Sequence, residues 1–214
     1  MTNQAASRPL GDTGRQVLGV GLLALWLVGM SVVIVTFMVG HWYTLPKPDE
    51  ERPLVAQAVA ALRERSEQGR WLAVHVLYAE CNCSKRIFGH LFHSERPAGV
   101  AERILLVGHD QTLEDKASAA GFKTEVVEPE ALERRFHVQA APLLLVSDPQ
   151  DQLRYIGGYT SRKQGPDIRD REIIAGLRAE EPQPELPLFG CAVSAGLQQL
   201  LDPLGVKYRE TGER

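Results

Sequence analysis

The side chains with the most chemistry to offer are three cysteines. Cys81 and Cys83 stand one residue apart in Tyr78-Ala79-Glu80-Cys81-Asn82-Cys83-Ser84-Lys85-Arg86-Ile87, and Cys191 follows Gly190 far downstream. Three thiols are too few for a disulfide scaffold, and an odd number cannot all pair within one chain, so the pattern points to thiol chemistry more than to stapling. The run "WLAVHVLY" (71–78) predicts a buried strand, and the residues after Cys83 predict a helix with Ile87, Leu91, Phe88 and Phe92 on its apolar face. A thiol between a strand and a helix start meets unpaired backbone N–H groups and the positive end of the helix dipole, both of which favour the nucleophilic thiolate. Lys85 and Arg86 add positive charge there, while the carboxylate of Glu80 opposes it.

Several uses of these thiols are compatible with the sequence. A Cys81–Cys83 disulfide would close a strained small ring and be easily reduced. Cys191 precedes the helical pattern Val193, Leu197, Leu200, which predicts a second helix start; if that segment folds back, Cys191 could resolve a disulfide begun at Cys81 or Cys83. The three thiols with His75, His90 or His93 would also suit a soft ion such as Cu(I) or zinc. Packed, inert thiols are the remaining reading. No Cys-x-x-Cys-His haem attachment site and no phosphate-cradling glycine loop is present.

The elements that must position these residues alternate. Pro53 opens a helix carrying Val55, Val59 and Leu62, with Gly69 placed to end the segment; "RILLVG" (103–108) and "FKTEVVE" (122–128) predict two more strands. Helices are expected from Thr112, with a Thr-x-x-Asp start, to Ala120 and from Glu130 to Phe136. Asp148-Pro149-Gln150-Asp151 between apolar runs predicts a hairpin over 141–159, and Ile173, Ile174 and Leu177 mark a further helix. This order describes an α/β architecture around a mixed sheet with a hairpin at one edge.

Residues 17–40, "VLGVGLLALWLVGMSVVIVTFMVG", carry no charge, and as a helix they would reach about 36 Å, enough to cross a hydrocarbon core of about 30 Å. His41-Trp42-Tyr43 fits an aromatic belt, and the length of the run argues for an uncleaved anchor over a signal peptide. The Lys/Arg balance across the span is nearly even, so the short N-terminal tail favours an N-in anchor with the bulk of the chain in the periplasm of a bacterium. The 214 residues carry 24 basic and 27 acidic side chains, a formal charge of −3, without any Lys/Arg block, which gives no footprint for nucleic acid.

The element order, the cysteines at a central strand end, and Ala141-Pro142 opening the hairpin resemble the thioredoxin-like superfamily, in its membrane-anchored periplasmic branch. "LYAEC" resembles the strand end leading into that family's Cys-x-x-Cys helix, "CNCSK" stands where "CGPCK" usually stands, and Gly157-Gly158 falls where the following strand turns glycine-rich. If Cys81 matches the attacking cysteine, Ser84 replaces the resolving one; if Cys83 does, Arg86 replaces it. The resemblance implies a thioredoxin-like mixed β-sheet flanked by helices and preceded by one transmembrane helix. It implies thiol–disulfide exchange with a protein partner through Cys81 or Cys83, and a cis-proline groove at Ala141 and Pro142 that holds the partner's chain; Cys191 is the candidate resolving thiol. The expected organisation is a cytoplasmic tail (1–16), a transmembrane helix (17–40), a stiff proline-rich linker (41–53), the thioredoxin-like domain (54–181) and a C-terminal extension (182–214) containing Cys191. No cofactor, no resident metal site and no nucleic-acid partner is expected. A copper chaperone using the same cysteines, and a non-catalytic assembly module on the same fold, are the alternatives.

Overall fold

The structure is a computed structural model that describes residues 12–163, 165–202, 205 and 208. It divides into two compact units, one ending at Tyr43 and one beginning at Thr44. In the first, α1 (Asp12–Trp42) is one continuous helix. Its stretch Thr13–Val35 has a mean hydropathy of 2.5, buries nothing against protein, and is long and apolar enough to cross a membrane. The helix outruns the uncharged run 17–40 because no proline falls between residues 12 and 42 to stop it. Residues 1–11 of the expected tail lie outside the described residues.

In the second unit, β1 (Trp71–Tyr78) is the centre of a five-stranded sheet. Beside it β2 (Val100–Val107) runs parallel, from Trp71↔Val100 to Tyr78↔Val107, and β3 (Lys123–Val127) runs parallel beyond β2. On the other side β5 (Leu143–Ser147) pairs antiparallel with β1, and β6 (Leu153–Gly157) closes the hairpin. The hairpin turn falls on the expected residues, where the Asp148 carboxylate accepts the N–H groups of Gln150 and Gln152, each at 2.9 Å.

Strand alternation assigns the two faces. Leu72, Val74 and Val76 of β1 pack with Val55 and Val59 of α2 (Arg52–Ala61), Leu132 and Phe136 of α5 (Pro129–Phe136), and Leu197 of α7 (Ala195–Leu201). Ala73 and Leu77 pack with Ile87, Phe88 and Leu91 of α3 (Asn82–His93), Ala117 of α4 (Gln111–Ala119), and Ile173, Ile174 and Leu177 of α6 (Asp170–Arg178). A strand covered on both faces must be apolar at nearly every position, which is why "WLAVHVLY" reads as one run. The exception is His75, which is buried, with Nδ1 2.9 Å from the Tyr159 hydroxyl and Nε2 3.4 Å from Glu102; Arg96 donates to the same carboxylate at 2.9 Å.

Several boundaries differ from expectation by a residue or a few, β2 for instance beginning at Val100, and three have an identifiable local cause. Helix α2 stops at Ala61, and a short 3-10 turn (Arg65–Glu67) follows before Gly69, at φ +73°, leads the chain into β1. Helix α4 starts one residue early because Asp110, not Thr112, caps it, its carboxylate accepting the Leu113 N–H at 3.1 Å. The largest difference concerns Cys191. No helix begins there: Ser194 caps α7, accepting the Leu197 N–H at 3.3 Å, and Cys191–Ala192 form a short strand β7 paired antiparallel with β4 (Ala140–Ala141). The segments flanking 54–181 also pack into this unit: Leu45 is buried, and its N–H donates to the Leu188 carbonyl at 2.8 Å.

Candidate functional site

Strand β1 delivers Cys81 to the C-terminal edge of the sheet. The Ala79 N–H donates to Val107 O at 2.9 Å, the Cys81 N–H donates to Tyr78 O at 3.1 Å, and Cys81 then takes the extended conformation of an N-cap for α3. On the adjacent strand, the Ala141–Pro142 peptide bond is cis and leads directly into β5. The two features meet, since Cys81 Sγ lies 3.9 Å from the carbonyl oxygen of Ala141. The sheet order β3-β2-β1-β5-β6, with the first three strands parallel and a C-terminal hairpin, thus sets a cis-proline against a cysteine at a helix start. The fold is thioredoxin-like.

No protein-family model and no curated protein matches the sequence. Among solved structures, an uncharacterized conserved protein from Geobacillus kaustophilus is similar over 60% of this chain and 78% of its own, at 16% identity and a TM-score of 0.47. The thioredoxin domain of a thiol-disulfide oxidoreductase from Bacteroides vulgatus is similar over 41% of this chain and 69% of its own, at 8% identity and a TM-score of 0.33. StoA from Bacillus subtilis is similar over 42% and 73%, at 13% identity and a TM-score of 0.33.

Within this thioredoxin-like unit the three cysteines converge. Pairing of Ala141 with Cys191 brings the distant thiol beside the cis-proline, and both Cys191 and Cys83 hydrogen-bond to the Cys81 sulfur. All three are thiols, with Cys81 fully buried and the other two half-buried. Hydrogen bonds from Cys191 first, then Cys83, hold the Cys81 thiol well below its ordinary range; burial opposes them, and the backbone N–H and hydroxyl of Ser84 assist. The Ser84 hydroxyl is well placed for this, because its oxygen accepts the Tyr78 N–H at 3.0 Å and its own proton remains to donate. The Ser84 hydroxyl therefore acts as a donor to the Cys81 sulfur.

Arg86, expected to favour the thiolate, and Glu80, expected to oppose it, each have a partner of their own. The Arg86 guanidinium donates to the Gly165 carbonyl and ties down the loop after β6, and the Glu80 carboxylate accepts the Tyr78 hydroxyl at 3.1 Å. Burial, followed by the charge of Glu80, pushes the Tyr78 phenol up. The groups that hold the Cys81 thiol low are Cys191, Cys83 and Ser84.

A cleft of ≈ 320 Å³ opens beside this cluster, lined by Asn82, Cys83, Arg86, Pro142, Thr160 and Phe189 among others. Cys83 faces it and Cys81 does not. Thr160 and Phe189 carried no signal of their own in the sequence; each reaches the site through a long-range fold contact. The imidazoles weighed as metal ligands are engaged away from the thiols: His75 in the core, His90 with Asp170 at 2.9 Å, and His93 with the Gly89 carbonyl at 2.7 Å. Among the described residues, no group of three or more His, Cys, Asp or Glu side chains is arranged to hold a metal ion.

Proposed function

We propose that this protein exchanges thiols and disulfides with a protein partner, Cys81 acting as the nucleophile and Cys191 as the resolving thiol. The observation that carries the reading is the Ala141↔Cys191 pairing, which sets two thiols from distant parts of the chain against each other beside a cis-proline. Cys81 has the three attributes such a nucleophile needs: a helix-start position, several hydrogen-bond donors and a second thiol in reach. A disulfide between Cys81 and Cys191 would avoid the small strained ring of Cys81–Cys83. Cys83, in the cleft wall, is then the second donor to the thiolate. Ala141 and Pro142 would hold the partner's chain.

The apolar stretch of α1 supports a single-pass anchor at 17–40 in a bacterial inner membrane, with a cytoplasmic tail and the soluble unit in the periplasm, where disulfides persist. On that reading 41–53 leaves the membrane, 54–181 is the catalytic domain, and 182–214 supplies Cys191.

The test is a redox titration of the full-length chain against glutathione, with mass spectrometry of alkylated peptides, on the unmodified protein and on Cys81→Ser, Cys83→Ser and Cys191→Ser. A reversible Cys81–Cys191 disulfide that survives Cys83→Ser is expected. Its absence, with stoichiometric Cu(I) binding by the reduced protein instead, would replace exchange by metal delivery; with neither, the unit is an assembly module.

A further inference from the structure

Residues 185–193 form a strap that runs past Gly158 and along β4, and it is held the way a bound extended peptide is held. The Gly158 N–H donates to the Leu186 carbonyl at 3.0 Å, the Leu186 N–H donates to the Tyr155 hydroxyl at 3.2 Å, and the Val193 N–H donates to the Gln139 carbonyl at 2.7 Å. Strand β4 has β7 as its partner in a separate two-stranded sheet, so the backbone edge preceding the cis-proline is filled by the strap. Charge clamps its start, Glu185 bonding Lys47 and Arg52, each at 2.6 Å.

Three consecutive positions of the strap meet three different demands. Phe189 lines the cleft with Cys83 and Arg86. Gly190 has no room for a side chain: a Cβ there would stand 1.9 Å from the Ala141 carbonyl oxygen and 2.6 Å from Pro142 Cδ. Cys191 then turns its thiol to Cys81. Any other residue at the middle position would hold the strand away from β4 and its cysteine away from Cys81.

We infer that Phe189-Gly190-Cys191 is the chain's own copy of what its protein partner presents: an extended aromatic-glycine-cysteine segment that takes the strap's place on β4 with its cysteine against Cys81. This rests on the exchange reading and specifies its substrate class. With the strap displaced, the Cys81 thiolate attacks the sulfur of the partner's glycine-linked cysteine, which is in disulfide with a second thiol. That disulfide breaks, a Cys81–partner disulfide forms, and the second thiol leaves as a thiolate that takes its proton from solvent. The returning strap brings Cys191 to Cys81 Sγ; its thiol gives its proton to solvent, the thiolate closes Cys81–Cys191, and the partner cysteine is released as a thiolate that takes up a proton. Two electrons have passed from the Cys81/Cys191 pair to the partner's disulfide. Strap and partner compete for one edge, so re-docking of the strap and release of the partner are the same event.

The test uses the reduced full-length chain in detergent carrying Cys191→Ser, which stops the reaction at the mixed disulfide. Two blocked peptides are supplied as mixed disulfides with thionitrobenzoate, Leu-Phe-Gly-Cys-Ala and the same peptide with valine in place of glycine. Release of the chromophore is timed, normalised to each peptide's rate with free glutathione, and the adduct is located by mass spectrometry. The glycine peptide is expected to react at least about tenfold faster, with the adduct on Cys81. Equal normalised rates, or an adduct on Cys83, would overturn the inference. If that happens while the unmodified chain still forms Cys81–Cys191 with oxidised glutathione, exchange stands and only the partner class falls. If that disulfide fails to form as well, both fall.

Discussion

Replacing Gly190 by alanine separates the strap's role from that of the thiols themselves. The new methyl would sit 1.9 Å from the Ala141 oxygen, a backbone atom fixed by β4 and the cis-proline, so the strap must retreat by more than an ångström. Retreat gives up the Ala141↔Cys191 pairing, roughly two backbone hydrogen bonds at about 1 kcal/mol each. Local opening then becomes about 30-fold easier, the factor that about 2 kcal/mol sets in an equilibrium constant. Cys81 is fully buried in the closed form, so its alkylation by iodoacetamide is limited by that opening and should accelerate by the same factor. Cys83, already facing the cleft, should change by less than about threefold and serves as the internal reference. Urea unfolding of the same variant reports whether the whole unit or only the strap has loosened. A Cys81 rate within about twofold of the unmodified protein, with Gly190→Ala folded, would refute the steric reasoning, because the strap would then not be what shields the thiol.

Other outcomes follow from the same contacts. The depressed Cys81 thiol predicts an alkylation inflection below the ordinary thiol value of about 8.5, and Cys191→Ala, which removes the largest stabilising hydrogen bond, should move that inflection upward. The folded value lies below the unfolded one, so the stability gained from this thiolate is fully present above about pH 8.5 and is lost as pH falls through the folded value. Urea titrations of the protein against Cys81→Ala across pH would show that trend. Ser84→Ala should cost about 1 kcal/mol by leaving the part-buried Tyr78 N–H without its acceptor, and should raise the Cys81 inflection too; a change in stability alone would deny the hydroxyl its part at the sulfur. Burial opposes ionisation of Glu185 but Lys47 and Arg52 overcome it and hold its carboxyl low, so Glu185→Gln should loosen the strap and speed Cys81 alkylation a few-fold, an effect that added salt should shrink.

The parts of this molecule that were legible in the sequence are those set by periodic burial. "WLAVHVLY" announces a strand covered on both faces, and the Asp148 turn announces a hairpin because its carboxylate makes local bonds. The Cys81 position followed from the strand-to-helix boundary, and Pro142 followed from the resemblance. Cys191 was legible as a thiol and not as a strand residue. A two-residue ladder has no period to detect, and Gly190 before it read as the entrance to a helix. What fixes that segment is a close approach to Ala141, 49 positions away from Gly190, which no local pattern records. Ser84 was visible as a substitution, but its use of one lone pair for Tyr78 and its proton for Cys81 needs three elements in place at once.

The burial of Cys81 also bears on when it reacts. A strongly depressed thiol is ionised but a poorer nucleophile, since nucleophilicity falls with pKa, and the best attacking thiol has a pKa near the ambient pH. In the closed form Cys81 is both shielded and held low by Cys191, so stray oxidants meet an inaccessible and electronically quiet sulfur. Displacing the strap would remove the Cys191 hydrogen bond in the same motion that exposes the sulfur, and the loss of that donor moves the pKa upward. Cys83 and Ser84 remain as donors in α3. Opening thus makes the thiolate accessible and more nucleophilic together. The Gly190→Ala variant should therefore show a higher Cys81 inflection as well as a faster rate, whereas a strap that shields without hydrogen-bonding would change the rate alone.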